Sequence, residues 1–288
     1  METTTFEGFG GLELVADVGG PVDGLPVVLL HGGGQTRHAW GTTAQTLVDR
    51  GFRVVSLDLR GHGDSAWADD GDYTLDAFAA DVRAVAATVD RRPVLVGASL
   101  GGITSLIAQG EADPPGSLAS AVVLVDVAHR LEPEGVSRIG EFMLAHIDGF
   151  ADLEEVADAV AAYNPHRPRP TDLSGLRKNV RQRDDGRWYW HWDPRFLTGR
   201  FGSTDETRSA TMSPTRLEDA ARSLDVPVLL VRGRVSDLLS EEGAQELLEL
   251  VPQARYADVA GAGHMVAGDR NDLFNDAVVS FLDELRDG

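Results

Sequence analysis

Residues 12–18 alternate apolar and polar side chains, the period of a strand with one face covered. Residues 27–30, 54–57, 94–96, 122–125 and 228–231 are instead apolar without interruption. Short runs of that kind suit strands buried on both faces, as in a parallel sheet flanked by helices. Helical spacing lies between them: Leu75, Phe78, Ala79, Val82, Val85, Ala86 and Val89 recur every three or four residues, and Thr74 is placed to cap the first turn. Strand and helix in alternation predict a doubly wound α/β sheet with right-handed crossovers. Functional residues are then expected at the carboxyl ends of the strands.

The alternation stops between residues 128 and 222, where no buried-strand run occurs. Charged helices, prolines and aromatics take its place, which predicts an insertion. Residues 153–163 form an amphipathic helical pattern, residues 165–170 a proline-flanked connector, and Arg187-Trp188-Tyr189-Trp190-His191-Trp192 a dense aromatic cluster. The chain therefore divides into a core of residues 1–127 and 223–288 and an inserted segment of residues 128–222. Packing of a small subdomain accounts for such aromatics, and in a lid they also wall an apolar pocket.

Length and composition narrow the function. At 288 residues and 42% hydrophobic content the chain can bury the core of one large domain. Its net charge of −20 repels nucleic acid and anionic membranes, so neither is expected as a partner. With no cysteine, disulfides, thiolate metal sites and a cysteine nucleophile are excluded. No His or carboxylate pair stands at ligand spacing on one helix face, and neither a metal nor a cofactor is expected. The first residues have no basic stretch followed by an apolar one, and no segment reaches membrane-spanning length, so a soluble cytoplasmic protein is expected.

The strongest chemical signal is Gly97-Ala98-Ser99-Leu100-Gly101, directly after an apolar run. A G-x-S-x-G that leaves a strand and opens a helix lifts the serine hydroxyl onto a sharp turn, where a base and a substrate can both reach it. Serine needs a base and oxyanion donors to act as a nucleophile. His264, in Gly261-Ala262-Gly263-His264-Met265 after the candidate strand 255–259, is the candidate base. The candidate donors are the N–H of Leu100 and that of Gly33, with Gly34 close behind, in the loop His31-Gly32-Gly33-Gly34.

With His31-Gly32-Gly33 after the third strand, Asp58-Leu59-Arg60-Gly61-His62-Gly63-Asp64-Ser65 after the fourth, the serine turn after the fifth and Gly263-His264 near the end, the chain resembles the α/β-hydrolases, in their capped, epoxide-hydrolase-like and esterase-like branch. The resemblance implies an eight-stranded, mostly parallel sheet with a helical cap inserted after the sixth strand. It also implies a structural role for His62 in the loop bordering the site. One slot departs from the family pattern: three residues after Gly233, where the family usually carries its triad acid, stands Ser236, with Asp237 one residue late. A second arrangement in the family puts the acid at the end of the sixth strand, here Asp126. A carboxylate after four apolar residues needs a partner, and an imidazole N–H is a fitting one. Asp126 is therefore preferred, with Asp237 the alternative.

Relatives of this branch that open epoxides carry aspartate at the elbow. Serine with histidine favours acyl transfer to water, so the expected activity is hydrolysis of a mostly apolar carboxylic ester or lactone. Cofactor-free perhydrolysis on the same triad, as in non-haem haloperoxidases, is the nearest alternative, and a non-catalytic ligand-binding protein the other. His38, Trp40, Trp188, Trp190 and Trp192 are the candidate pocket residues. An exposed aromatic cap would offer a surface for a homodimer.

Overall fold

Uninterrupted apolar runs become the middle of a sheet, as their pattern requires. In the computed structural model, which describes residues 1–165, 168–197, 213–260 and 271–287, the core strands are β1 (Glu2–Glu7), β2 (Glu13–Gly19), β3 (Pro26–Leu30), β4 (Arg53–Leu57), β5 (Val94–Ala98), β6 (Ala121–Val125), β9 (Val228–Gly233) and β10 (Ala254–Val259). They form one eight-stranded sheet in the order β1-β2-β4-β3-β5-β6-β9-β10. β1 and β2 pair antiparallel, as do β2 and β4, and every other pairing is parallel.

Both faces of the central strands are covered. On β3, Val28 and Leu30 point into one core and Val27 and Leu29 into the other, and all four are fully buried. Full burial of such side chains stabilises by about 1.5–3 kcal/mol each. The first core lies beneath α2 (Leu75–Ala86) and α3 (Leu100–Gly110). The second lies beneath α1 (Gly41–Asp49) and the last helix (Asn271–Asp287). The Thr74 side chain accepts from the Ala77 N–H, the cap expected for α2.

β1 has no counterpart in the hydrophobic pattern. Its threonines are exposed, and only Phe6 packs against the core. The strand is held by its ladder with β2 and by Thr3 Oγ1 donating to Asp17 Oδ1 at 2.8 Å.

The inserted segment contains α4 (Pro133–Ala145), α5 (Leu153–Tyr163) and a hairpin of β7 (Val180–Gln182) and β8 (Trp188–Trp190). Phe150, Val156, Val180 and Trp188 give it a small core of its own. It is nevertheless fused to the main body, because Met143, Trp192, Phe196 and Leu197 belong to the same cluster as Leu30, Leu100 and Ile103. Backbone bonds stitch the junction: Gly63 N donates to His191 O at 2.8 Å and Asp193 N to Gly61 O at 2.8 Å. Burial, reinforced by the hydrogen bond that Tyr73 Oη donates to Asp193 Oδ2 (2.5 Å), pushes the Tyr73 hydroxyl pKa up. The proline-flanked connector falls partly outside the described residues.

One boundary moves. The helix α6 (Pro214–Arg222), grouped by sequence with the insertion, packs on α3: Leu217, Ala220 and Ala221 are buried in the main core. A Cβ added to Gly110 at the end of α3 would lie 2.4 Å from the Ala220 carbonyl oxygen. Polar residues with exposed side chains, such as Glu218 and Arg222, hide this alliance from the sequence.

The Gly110 contact supplies a test with a definite sign. Helix propensity alone would make Gly110→Ala stabilising by about 1 kcal/mol. Backbone overlap with Ala220 should reverse that, giving a net loss of about 1–3 kcal/mol in urea unfolding.

Candidate active site

Ser99 sits where β5 ends and α3 begins, at φ 48° and ψ −113°. That is a strained conformation for a residue with a Cβ, and the surroundings enforce it. A Cβ on Gly97 would lie 2.3 Å from the Gly101 carbonyl oxygen, and one on Gly101 would lie 2.3 Å from the Leu30 carbonyl oxygen. Only glycine at both positions lets the turn close this tightly against β3. Backbone bonds complete it, with Ser99 N donating to Val125 O (3.3 Å), Gly101 N to His31 O (3.1 Å) and Ile103 N to Ser99 O (2.9 Å). Ser99 itself stays half-buried and accessible. The N–H of Leu100, in the first turn of α3, has no acceptor among the described residues.

The loop after β3 is held by the side chain of His31. Leu59 N–H donates to His31 Nε2 at 3.0 Å, so Nε2 is the acceptor and the proton resides on Nδ1. Nδ1–H in turn donates to Gly32 O at 2.8 Å, and Gln35 N donates to the same carbonyl at 3.1 Å. Gln35 Oε1 accepts from Gly32 N at 3.0 Å. A trans peptide opposes its C=O and N–H, so pinning the Gly32 carbonyl points the Gly33 N–H the other way. That N–H also lacks an acceptor among the described residues, and a Cβ on Gly33 would lie 3.9 Å from Leu100 Cβ. Burial drives the His31 pKa down to about 4 against the Gly32 bond that would raise it, so the ring is neutral at ordinary pH.

Asp126 follows β6 and is fully buried, with φ 51°. Ser99 and Asp126 are the two non-glycine residues with positive φ among the described residues, and they end neighbouring strands. Asp126 Oδ1 accepts from Gly233 N at 3.0 Å and Oδ2 from Ser236 Oγ at 2.5 Å. The competing carboxylate, Asp237, turns outward: it is 38% exposed and pairs with Arg138 of α4 at 2.9 Å. His264 lies outside the described residues.

The five pocket candidates separate. Trp192 stands beside the loop after β3, its Nε1 3.7 Å from where a Cβ on Gly34 would be. Trp190 bridges the insertion's own core and the principal core, near Phe142 and Phe150. Trp188 instead fills the insertion's own core, under the Arg177 guanidinium. Trp40 is a correction: it packs on Phe274 in the core on the other sheet face, because it closes the short helix Arg37–Trp40 that turns the chain into α1. His38 is a second correction, lying 3.9 Å from Asp17 of β2, its pKa lowered by burial and by Arg37.

Two residues beside the glycine loop were not anticipated. Met143 Cε would meet a Cβ on Gly34 at 2.8 Å, and Phe196 Cζ one on Gly33 at 3.4 Å. Neither carries a chemical signature that pattern reading could find. The loop after β4 is braced by an ion network: Asp58, fully buried, accepts from Arg37 N (2.6 Å) and Asp64 N (2.9 Å) and pairs with the Arg37 guanidinium. Burial opposes the charge on Arg37, yet Asp58, Asp64 and Asp17 hold its pKa above the ordinary value. His62 in that loop is buried, with Nδ1 2.9 Å from Arg60 O and its ring edge-on to Phe196.

Residues 27–277 match the model of the alpha/beta hydrolase family. The chain belongs to that family. It is 30% identical to an esterase of Mycobacterium tuberculosis, over 89% of this chain and 82% of the relative. It is 28% identical to a non-heme chloroperoxidase of Streptomyces lividans, over 91% and 93% of the two chains. The crystal structure of E-2-(acetamidomethylene)succinate hydrolase superposes with a TM-score of 0.82 at 24% identity, covering 98% of this chain and 99% of that one. Membership accounts for the strand order and for the serine turn at the carboxyl edge of the sheet of this alpha/beta hydrolase. No helix among its described residues is long and apolar enough to cross a membrane.

Stability should respond to acid through His31. Its folded pKa of about 4 lies below the unfolded value of 6.5, so between these values the unfolded chain binds the extra proton and folding weakens as pH falls. His191, also lowered to about 4 by burial and by Arg181, acts in the same direction. Urea midpoints measured from pH 7 down to pH 4 should decline, and His31→Asn should flatten part of that slope from a lower starting stability.

Proposed function

We propose that this chain is a serine hydrolase that cleaves a neutral, mostly apolar carboxylic ester or lactone through an acyl-enzyme. Ser99 attacks the carbonyl carbon while His264 takes its proton, and the N–H groups of Gly33 and Leu100 hold the oxyanion. Collapse of the tetrahedral intermediate expels the alcohol, protonated by His264. Water then adds to the acyl-enzyme by the same route and releases the acid. Asp126 orients His264 and stabilises its charged form.

The observation that carries this reading is the pairing of strained backbones: Ser99 at φ 48° and Asp126 at φ 51°, at the ends of adjacent strands. Such outliers persist only where the surrounding structure over-determines them, and they cluster at sites of chemistry. Two N–H groups beside Ser99, without an acceptor among the described residues, supply what an oxyanion requires. The inserted segment serves as the lid, with Met143, Trp192 and Phe196 as apolar walls, and this composition supports a neutral acyl group.

The likeness to a non-heme chloroperoxidase favours a second reaction on the same intermediate. Hydrogen peroxide in place of water would attack the acyl carbonyl and release a peracid, with Ser99 regaining its proton through His264. Competition of peroxide with water during turnover of an acetate ester measures it directly.

A fluorophosphonate should label the folded protein at Ser99, as mapped by peptide mass spectrometry; an unlabelled protein overturns the proposal. Ser99→Ala and Asp126→Asn should each lower kcat on a p-nitrophenyl ester by about 10⁴-fold or more. Asp237→Asn should stay close to the parent, since its carboxylate faces Arg138.

A further inference from the structure

Ser236 occupies a position that the mechanism above leaves unused. Its hydroxyl accepts from Leu238 N at 3.1 Å and from Leu239 N at 3.4 Å. A hydroxyl has two acceptor lone pairs and one proton. With both lone pairs engaged by backbone N–H groups, the proton has one direction left, and Asp126 Oδ2 stands there at 2.5 Å. The bond is therefore one-way: Ser236 donates and the carboxylate accepts.

The segment that carries Ser236 is itself fixed from three sides. Glu132 N donates to Leu238 O at 2.9 Å, Arg232 Nε donates to Leu239 O at 2.9 Å, and Arg138 pairs with Asp237 at 2.9 Å. Gly135 in the first turn of α4 lies so close that an added Cβ would be 2.3 Å from the Asp237 carbonyl oxygen. On the opposite side of the carboxylate, Gly233 N holds Oδ1 at 3.0 Å. Two donors on two oxygens fix the plane of the Asp126 carboxylate.

We propose that Ser236 is a positioning residue for the reaction: it fixes the Asp126 carboxylate, and through it the base. This inference rests on the Ser99–His264–Asp126 reading given above. Ser236 touches neither substrate nor the reacting atoms, so its effect passes entirely through Asp126.

A double-mutant cycle on p-nitrophenyl butyrate hydrolysis tests it. Loss of one charge-assisted hydrogen bond to Asp126 should make Ser236→Ala about tenfold slower in kcat, with KM within about twofold of the parent. Ser236→Thr keeps the hydroxyl and should recover most of the rate, which a loss through misfolding or repacking would not allow. In an Asp126→Asn background, Ser236→Ala should cost nothing further, because the carboxylate through which it acts has gone. A parental kcat for Ser236→Ala, or an equal loss in both backgrounds, overturns the inference. If Ser99 of the parent resists a fluorophosphonate, the hydrolase reading fails and takes this one with it; a labelled parent with an unaffected Ser236→Ala overturns the positioning role alone.

Discussion

The structure depends on one close approach, that of the turn after β5 to the end of β3. Gly101 lies against the Leu30 carbonyl with no room for a Cβ, and its N–H is bonded to His31 O. This contact fixes where α3 starts and forces Ser99 into its positive φ. It also ties the serine turn to the glycine loop, so the two cannot shift independently. The His31 side chain extends the same constraint to β4 through Leu59 N, and its hold on the Gly32 carbonyl decides which way the next N–H faces. A single neutral imidazole in the interior thus connects the ends of two strands and orients a peptide plane beside the serine.

The opposite side of the site is built by hydrogen bonding rather than by close packing. Asp126 is fully buried, and its oxygens are met by a backbone N–H and a hydroxyl. Donors of this kind satisfy a carboxylate without neutralising it. The loop after β4 uses the other solution, in which Asp58 is matched by the guanidinium of Arg37. Charge cancellation suits a loop that only needs to be rigid.

The sheet was legible in the sequence because its central strands are buried on both faces, and uninterrupted runs of valine and leucine admit few other readings. β1 was not legible, since a strand at an open edge gains its stability from its ladder and leaves no apolar period behind. The serine turn was legible because its glycines are a steric necessity, and so was the need of a carboxylate that ends a buried strand for partners, met at Asp126 by Gly233 N and Ser236 Oγ. Trp40 misled for a related reason: an aromatic near a glycine loop reads the same whether it faces the site or the far core, and the turn of the short helix Arg37–Trp40 decides between them. Met143 and Phe196 carry no period or motif that relates them to Gly33 and Gly34, from which they are distant in sequence. Ser236 was visible only as a missing acid; its hydroxyl's direction depends on two backbone N–H groups that no pattern of side chains encodes.

The shared core of the insertion bears on how this protein can diversify. Met143, Trp192, Phe196 and Leu197 belong to the insertion by sequence and to the principal core by contact. A chimera that exchanged the segment for that of a relative would strip part of the covering from α3 and from the strands beneath it. Changes of specificity are therefore confined to substitutions that keep these four anchors, whereas wholesale grafting would forfeit the fold that the graft was meant to retune.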